Sequence, residues 1–357
     1  MRRWTYTANA SFYGLRRDRF TEYQPAATVE ERIRRIAATP GIQGIELKYP
    51  FDFGDPALIR RLLDETGLRL SAVNVDIKDS RYFRYGALAA RAPQARDKAV
   101  ELLTAGMDLA AEFGTDLVST CPLADGYDYP FQIDYTDAWG FFIETTTRVC
   151  RHRTDVRLAL EYQPHEPHAH ILLTNVGKML HVCAEVGLPN IGANLDIGHS
   201  LAALEAPAEA AALLTIKKRL FYIHASDNTG DGGDWDMISG SVHFWHWVEL
   251  LLTLDHIGYD GWIGADVLAK FGTADAFYAT NFRMIDAIIA LIESIGAKKL
   301  RALASADDST PELFSLLAAH LSSAKPVLST ERGTGDGSDQ RLNKEPENAH
   351  SDDKEAN

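Results

Sequence analysis

The sequence has little of what disulfide-rich, secreted and membrane proteins need. It contains only three cysteines among 357 residues, and these (Cys121, Cys150 and Cys183) form no CxxC pair. An odd number of widely spaced cysteines argues for reduced thiols in a cytoplasmic protein. No run of about 18 apolar residues is present that could span a membrane. No apolar h-region follows the basic N-terminus, so we expect no secretion signal.

Positive charge is also scarce. The chain has 36 Lys and Arg residues against 50 Asp and Glu residues, a formal net charge of −14. Nucleic-acid binding requires a basic surface that displaces counterions, so this balance argues against it. The hydrophobic content of 46% and charged content of 24% are ordinary for a soluble globular enzyme. We therefore expect a small-molecule ligand, and neither a nucleic acid nor a membrane as a partner.

What the sequence does contain is a repeated alternation of short apolar strands and longer helical segments. Eight strands are predicted at residues 4–8, 43–48, 69–76, 115–120, 157–162, 191–196, 220–225 and 261–267. Helical periodicity follows each strand, at residues 28–38, 55–66, 93–113, 135–151, 173–187, 200–216, 243–257 and 273–297. Eight strand–helix units over roughly 290 residues have the size and order of a (β/α)8 TIM barrel.

The main alternative is an open, doubly wound α/β sheet. Such sheets often carry a glycine-rich phosphate turn after the first strand, whereas residues 8–12 here read ANASF. Helix boundaries agree with the barrel interpretation. Thr28 and Glu31 form a capping-box pattern, and Gly41, Gly67 and Gly114 stand before strands, where a helix C-cap belongs.

The alternation stops after residue 297, and this divides the chain into three predicted regions. We predict a barrel over residues 1–297 and a short C-terminal helical extension over residues 298–323, with an amphipathic helix at 310–323. Residues 324–357 are rich in small, polar and charged residues and almost lack large apolar ones. Such a segment buries too little surface to offset its ordering entropy, so we predict a disordered tail.

Four polar residues stand where an apolar strand gives way to its loop, namely Glu161, Asp196, His224 and Asp266. In a barrel, every strand delivers its last residues to the same C-terminal rim, so these side chains should converge. Three carboxylates and an imidazole packed together repel one another unless a cation neutralises them. Oxygen-rich ligation with one imidazole suits Mn²⁺ or Mg²⁺, with Co²⁺ or Zn²⁺ as alternatives. The competing interpretation is that the carboxylates cap helices or form surface ion pairs, Asp266 above all.

Other polar residues surround these four. His199 follows the second carboxylate by three residues and either contacts a substrate or caps a helix. Glu46 and Lys48 share one face of the second strand, pointing to the rim or forming an ion pair. The loop 121–132 combines aromatic residues and carboxylates, as stacking on a sugar or polyphenol requires. The loop 226–236 alternates Asp and Gly, so a second cation site is conceivable, although EF-hand spacing is missing.

Three segments resemble the xylose isomerase-like TIM barrel superfamily, which includes sugar isomerases, ketose 3-epimerases and endonuclease IV-type enzymes. They are residues 161–164 (EYQP), 194–199 (NLDIGH) and 222–227 (YIHASD), and the resemblance extends from residue 1 to about residue 297. It implies that the metal ligands are Glu161, Asp196, His224 and Asp266, and that His199 contacts the substrate.

Two features depart from the epimerases of that superfamily. Asp266 stands where they usually have Glu, acting as both ligand and base, and an acidic, glycine-rich stretch follows His224 where they carry an Arg. Residues 125–132, 233–236 and 240–245 instead resemble a branch containing the α subunits of bacterial C-glycoside deglycosidases. Those enzymes cleave the carbon–carbon bond between a 3-keto sugar and an aromatic aglycone. This resemblance implies Mn²⁺ and a small β subunit.

The functional hypotheses share one chemical step. A metal ion polarises a carbonyl, and a base removes the proton on the neighbouring carbon. A lyase then expels a leaving group, whereas a sugar isomerase or epimerase returns the proton elsewhere. We expect lyase action with His165, four residues after Glu161, as the general base and His199 as the alternative. His165 could also be a plain loop histidine.

Two further hypotheses carry less support. A non-catalytic sugar sensor would not need an intact set of ligand-type residues, and the acidic charge balance disfavours an endonuclease. The partners we expect are a sugar or glycoside substrate, the small β subunit, and further copies of this chain in a homo-oligomer.

Removing the tail from Ala324 onward should leave thermal stability nearly unchanged, because the tail has too little apolar surface to dock. We expect the Tm of the truncated chain to lie within about 2 °C of the full-length value, as for ordinary surface changes. Differential scanning calorimetry on both chains measures this. A larger fall would show that the tail packs on the barrel or on a partner.

Overall fold

The computed structural model describes residues 1–323, with side chains described as far as residue 321. The predicted tail over residues 324–357 lies outside the described residues. We number the barrel strands β1–β8. They are Thr5–Asn9, Ile42–Tyr49, Arg69–Val75, Leu117–Thr120, Arg157–Glu161, Ile191–Asp196, Leu220–Ala225 and Trp262–Ala265. Each strand pairs in parallel with its neighbours in sequence, and β1 pairs with β8 to close the ring. The predicted (β/α)8 barrel is therefore confirmed.

Eight helices, α1–α8, connect the strands and pack around them. They are Val29–Ala38, Pro56–Thr66, Pro93–Glu112, Tyr135–His152, Val176–Val186, Pro207–Ile216, Phe244–Ile257 and Ala274–Ile295. The predicted capping box begins α1, where Thr28 Oγ1 accepts from Glu31 N at 3.2 Å and Glu31 Oε2 accepts from Thr28 N at 2.7 Å. Gly67 ends α2 in the left-handed region with a φ of 73°, as a C-cap glycine does.

One helix prediction needs correction. The segment predicted as one helix at 200–216 forms two, Ile197–Ala202 and α6, because Leu204 adopts a φ of 60° and Pro207 begins a new helix. Proline has no N–H to continue a helix but suits its first turn. The long last helix stops at Gly296, whose φ is 99°, and the helices Ala297–Ala304 and Thr310–Ser323 follow it.

The hydrophobic core lies between the strands and the surrounding helices. Ile45 and Ile223 on the strands are fully buried there, as are Leu103 and Met107 on α3 and Leu251 on α7. This packing fixes the strands, and with them the direction of the side chains at the strand ends. No helix within residues 1–323 has the length and apolarity to cross a membrane.

The loops at the C-terminal end of the barrel are held to one another. A short hairpin after β1 pairs Arg16–Arg17 with Glu22–Gln24. Gln24 Nε2 donates to the carbonyls of Ala269 and Gly272 in the loop after β8, at 3.0 and 2.8 Å. The hairpin is thereby fixed beside the mouth of the barrel.

Asp125 joins two further loops. Its buried carboxylate, in the loop after β4, accepts hydrogen bonds from the backbone N–H groups of Ala87, Leu88 and Ala89 at 2.7, 2.9 and 2.8 Å. These residues lie in the loop after β3. A buried donor that loses its acceptor pays the full cost of its lost hydration. Asp125 is therefore a structural residue of the rim.

Replacing Asp125 with Ala should destabilise the protein. Three backbone donors lose their acceptor, so we expect the free energy of unfolding to fall by about 2–4 kcal/mol. Urea denaturation followed by circular dichroism measures this. The control is Asp97→Ala, which removes an exposed ion pair to Arg148 and should change the free energy by less than about 1 kcal/mol. Equal losses in the two variants would contradict the structural role.

Candidate active site and metal centre

A cavity of about 700 Å³ opens at the C-terminal ends of the strands. Glu161, His199 and Asp266 form part of its wall on the side of β5, β6 and β8. Lys48, near the end of β2, and Lys78, which follows β3, form part of the opposite wall. Clefts at this end of a barrel are where TIM-barrel enzymes place their active sites.

The four residues predicted to converge do so. One ligand atom from each of Glu161, Asp196, His224 and Asp266 lies within 4.8 Å of the others. Strand register explains this, because Asp196 on β6 stands beside His224 on β7, and Glu161 on β5 stands beside Asn194. His224 Nδ1 lies 3.3 Å from both Glu161 Oε2 and Asp266 Oδ2.

Several polar atoms of this cluster are buried without a hydrogen bond. Among the described residues, Asp196 Oδ2, His224 Nδ1 and Asp266 Oδ1 have no hydrogen-bond partner. Buried polar atoms are normally hydrogen-bonded, so unpartnered acceptors that face one another need an explanation. A divalent cation supplies one, because carboxylate oxygens and one imidazole nitrogen are suitable ligands for Mn²⁺ or Mg²⁺. The residues present therefore fit such an ion.

Outer contacts orient these ligands. His224 Nε2 lies 3.1 Å from Glu46 Oε2, and Glu46 Oε1 accepts from Asn74 Nδ2 at 2.6 Å. A carboxylate that accepts a hydrogen bond from Nε2 keeps the imidazole proton on that nitrogen. The lone pair of Nδ1 then faces the cluster. Asn194 Nδ2 donates to Glu161 Oε2 at 2.8 Å. The alternative interpretation of Glu46 was a surface ion pair. Glu46 is instead 1% exposed and belongs to the site.

One carboxylate of the cluster, that of Asp196, also caps a helix, as the alternative interpretation predicted. This second role does not remove it from the cluster. Asp196 Oδ1 accepts from His199 N and Ser226 Oγ, both at 2.9 Å, and so caps the helix Ile197–Ala202. Its Oδ2 stays free for the cluster. Asp266 is not the cap of α8, because the side chain of Thr273 accepts the N–H of Ala276 there.

Electrostatic forces within the cluster are strong. Burial opposes ionisation of Glu161, but His224 and His199 outweigh it and lower the pKa of Glu161 to about 2. Burial raises the pKa of Asp196 to about 7, with further contributions from the Glu161 and Asp266 carboxylates. Burial opposes protonation of His224, but Glu161 and Glu46 outweigh it and raise the pKa of the imidazole. Without a cation the cluster therefore retains protons, which an incoming ion must displace.

The two candidate catalytic histidines lie in different places. His199 is 4% exposed and lines the cavity, with Nδ1 3.2 Å from Glu161 Oε1 and Nε2 3.3 Å from Asp234 Oδ1. His165 donates from Nδ1 to the carbonyl of Ala169 at 2.6 Å and is not among the described residues that line the cavity. The structure thus brings His199 beside the cluster and leaves His165 in the loop after β5. A catalytic role for either histidine stays a prediction.

The two loops singled out in the sequence contribute unequally to the cavity. Only Cys121 and Leu123 of the loop 121–132 line the cavity, while Tyr129 and Phe131 are largely exposed. In the loop 226–236, Gly233, Asp234, Trp235 and Asp236 line the cavity, and Asp234 Oδ1 lies 3.3 Å from His199 Nε2. Across the described part of the chain, the second group with metal-ligand geometry is Cys121, Glu161 and His199, and it includes no residue of that loop.

Comparisons with known proteins agree with the fold. The family model of the xylose isomerase-like TIM barrel matches residues 33–288. The xylose isomerase of Thermus thermophilus is 27% identical over 207 residues, 57% of this chain and 54% of that protein. The chain therefore spans about half the length of this curated relative.

Two solved structures share the architecture. A D-tagatose 3-epimerase-like protein superposes with a TM-score of 0.64 at 19% identity, covering 81% of this chain and 98% of that one. The 3-keto-D-glucoside 4-epimerase of E. coli superposes with a TM-score of 0.62 at 13% identity, covering 80% and 100% of the two chains. The barrel, the converging strand ends and the family match together establish that the chain belongs to the xylose isomerase-like TIM barrel family.

The full-length chain should bind one Mn²⁺, and the affinity should fall as the pH is lowered from 8 to 6. The pKa of Asp196 is about 7 in the ion-free protein, so this carboxyl group takes up a proton in that range, and the ion must displace it. For displacement of the Asp196 proton we expect the affinity to drop by about tenfold in total between pH 8 and pH 6, and each proton displaced from a group that stays protonated throughout this range adds about tenfold per pH unit. Isothermal titration calorimetry with Mn²⁺ at several pH values measures this.

Two ligand variants and one control complete this test. Glu161→Ala and His224→Ala remove ligands and should abolish stoichiometric binding, whereas Glu166→Gln changes a cavity carboxylate outside the cluster and should bind as the wild type does. Purified wild-type protein that binds no divalent ion, or ligand variants that bind normally, would rule out the metal centre.

Proposed function

We propose that this chain is a divalent-cation-dependent enzyme that removes the proton next to the carbonyl group of a keto-sugar. The observation that carries the proposal is the cluster of Glu161, Asp196, His224 and Asp266 beside a cavity of about 700 Å³, in which Asp196 Oδ2, His224 Nδ1 and Asp266 Oδ1 are buried without a hydrogen bond among the described residues. A divalent cation held there would polarise a substrate carbonyl and stabilise the negative charge that forms on its oxygen.

Within this class, we propose lyase action on a 3-keto C-glycoside, as the α subunit of a C-glycoside deglycosidase with a small β subunit. The sequence resemblance at residues 125–132, 233–236 and 240–245 supports this assignment. Asp266 stands where the epimerases have a Glu that acts as a base. The carboxylate of Asp266 is one methylene closer to the backbone, so it reaches less far toward a substrate, which also supports the lyase assignment. The similarity to a protein named as a 3-keto-D-glucoside 4-epimerase is consistent with an oxidised sugar as the substrate.

His199 is our first assignment for the base, because it lines the cavity and lies beside the cluster. Asp234 on Nε2 fixes the ring, and Nδ1 has no hydrogen bond among the described residues. Burial opposes protonation of His199, but Asp196 and Asp234 outweigh it and raise its pKa. A cation on the carboxylates would relieve this effect and free the imidazole to accept a proton. His165 remains the alternative base.

The bonds in the proposed reaction balance without another reactant. The base removes the proton from C2, which the C3 ketone acidifies, and the electron pair moves toward the ketone oxygen. The pair then returns to form a C1–C2 double bond while the bond from C1 to the aglycone carbon breaks. That carbon takes up a proton from an acid, so the products are an unsaturated keto-sugar and the protonated aglycone.

Sugar isomerase or epimerase action is the second candidate. The carboxylates of Glu161 and Asp266 flank His224, each at 3.3 Å, and a pair of acid–base groups is what moving a proton from one face or carbon to another requires. The names of the similar proteins, a xylose isomerase and a 3-epimerase-like protein, support this candidate too.

The Mn²⁺-loaded enzyme should release the aglycone from a 3-keto C-glucoside and leave the unoxidised C-glucoside intact. Only the ketone makes the C2 proton acidic enough for an active-site base. We expect His199→Ala to slow the release by about 10²–10⁴-fold, as for loss of a general base. Because residue 199 donates to Asp196 through its backbone N–H, which Ala retains, this variant should keep one bound Mn²⁺. Liquid chromatography of the aglycone and elemental analysis measure the two effects.

His165→Ala is the matched variant, and we expect it to turn over at the wild-type rate. Loss of activity in His165→Ala with full activity in His199→Ala would assign the base to His165. The assay is run on the chain alone and together with the candidate β subunit. An enzyme that ignores 3-keto glycosides but interconverts a free aldose and ketose would establish the isomerase candidate instead.

A further inference from the structure

The wall of the cavity opposite the metal cluster is basic. Arg16 follows β1, Lys48 ends β2 and Lys78 follows β3, and all three line the cavity. Because β1, β2 and β3 are neighbours in the closed ring, their ends form one continuous side of the mouth. The metal cluster comes from β5 to β8, so acidic and basic groups face each other across the cavity.

This basic wall has too few carboxylates for its cations. Lys48 Nζ pairs with Asp76 Oδ2 at 2.7 Å. In the described residues, no carboxylate lies within 4.0 Å of the Lys78 ammonium, and the buried Arg16 Nε has no hydrogen-bond partner. One arm of the Arg16 guanidinium donates to Ser11 Oγ at 3.0 Å. Three cations therefore share a single carboxylate.

The cations also affect one another. Burial lowers the pKa of Lys48, and Lys78 and Arg16 lower it further. Burial opposes protonation of Lys78, but the negative charges of Cys121, Asp76, Glu161 and Asp266 outweigh it and raise the pKa of Lys78 in the ion-free protein. A divalent cation on the cluster would neutralise the contributions of Glu161 and Asp266 and leave Lys78 with less compensation. Positive charges crowded at a partly buried wall indicate a binding site for an anion. The same reasoning assigns a cation to the crowded carboxylates of the cluster.

From this arrangement we propose that the substrate carries an anionic oxygen group, a carboxylate or a phosphate ester, which Arg16, Lys48 and Lys78 bind while the keto-sugar faces the metal cluster. The proposal rests on the proposed function for the identity of that sugar. The wall supplies the ammonium donors of Lys78 and the unpartnered N–H of Arg16, both suited to carboxylate or phosphate oxygens. The anion would also fix which end of the substrate meets the cluster.

The test is a binding titration of the Mn²⁺-loaded full-length chain with three methyl glucosides that differ only at C6. The probes carry a hydroxymethyl group, a carboxylate or a phosphate ester. We expect at least one anionic probe to bind about 10- to 100-fold more tightly than the neutral probe, the range for charge-assisted hydrogen bonds. The stronger anionic probe identifies the group. Equal binding of all three probes would overturn the proposal.

Variants separate this wall from the metal cluster. Lys78→Gln and Arg16→Gln should each lose about tenfold or more of the anion preference, and Lys78→Arg should retain it. Lys299→Gln, which removes an equal charge from the exposed helix Ala297–Ala304, should bind as the wild type does. If the preference persists in Lys78→Gln but disappears in Glu161→Ala, the anion binds the metal centre and the proposal is wrong. Since no turnover is measured, failure of the lyase assay leaves this result standing.

Discussion

All eight strands of the barrel run in the same direction, so every residue that ends a strand competes for one small, poorly hydrated space. Burying charge in such a space is costly unless opposite charge accompanies it. Three carboxylates and an imidazole meet there within 4.8 Å of one another. The rest of the site follows from this crowding, because Asn194 and Glu46 hold the ligands in place from outside. Among the described residues, Asp196 Oδ2, His224 Nδ1 and Asp266 Oδ1 are left without a hydrogen bond.

The cavity is polarised as a consequence. The carboxylates of the cluster lie where β5 to β8 end, and Arg16, Lys48 and Lys78 lie where β1 to β3 end, while Asp18 and Lys270 line the cavity among charges of the opposite sign. A bound sugar would therefore experience a strong field along its length, and such a field can orient a small substrate before any specific hydrogen bond forms. The loops that complete the rim are tied down as well, by Asp125 on one side and Gln24 on the other. The site thus rests on a rigid frame, as precise positioning of reacting groups requires.

The barrel and its four central residues could be predicted because each residue terminates an apolar run whose period is unmistakable. The outer contacts could not be predicted in the same way. Glu46 ends a strand like any other polar residue, and its bond to His224 joins positions 178 residues apart that only the closed ring brings together. Loop residues were harder still. Sequence spacing places His165 and His199 equally near the strand ends, but only the folded loops decide which imidazole lines the cavity. Lys78 carried no sequence signal beyond its place shortly after β3.

The bond between Glu46 and His224 has a consequence for how the protein is assembled. All four residues of the cluster come from the second half of the barrel, whereas the carboxylate that sets the proton on His224 comes from β2, near the beginning of the chain. A half-barrel made of β5 to β8 would contain every ligand and still present an imidazole free to rotate and to hold its proton on either nitrogen. An ion at the proposed site would therefore bind most tightly to the completed ring. During folding, such an ion would stabilise closed chains more than half-formed ones, so metal loading would favour correctly assembled barrels.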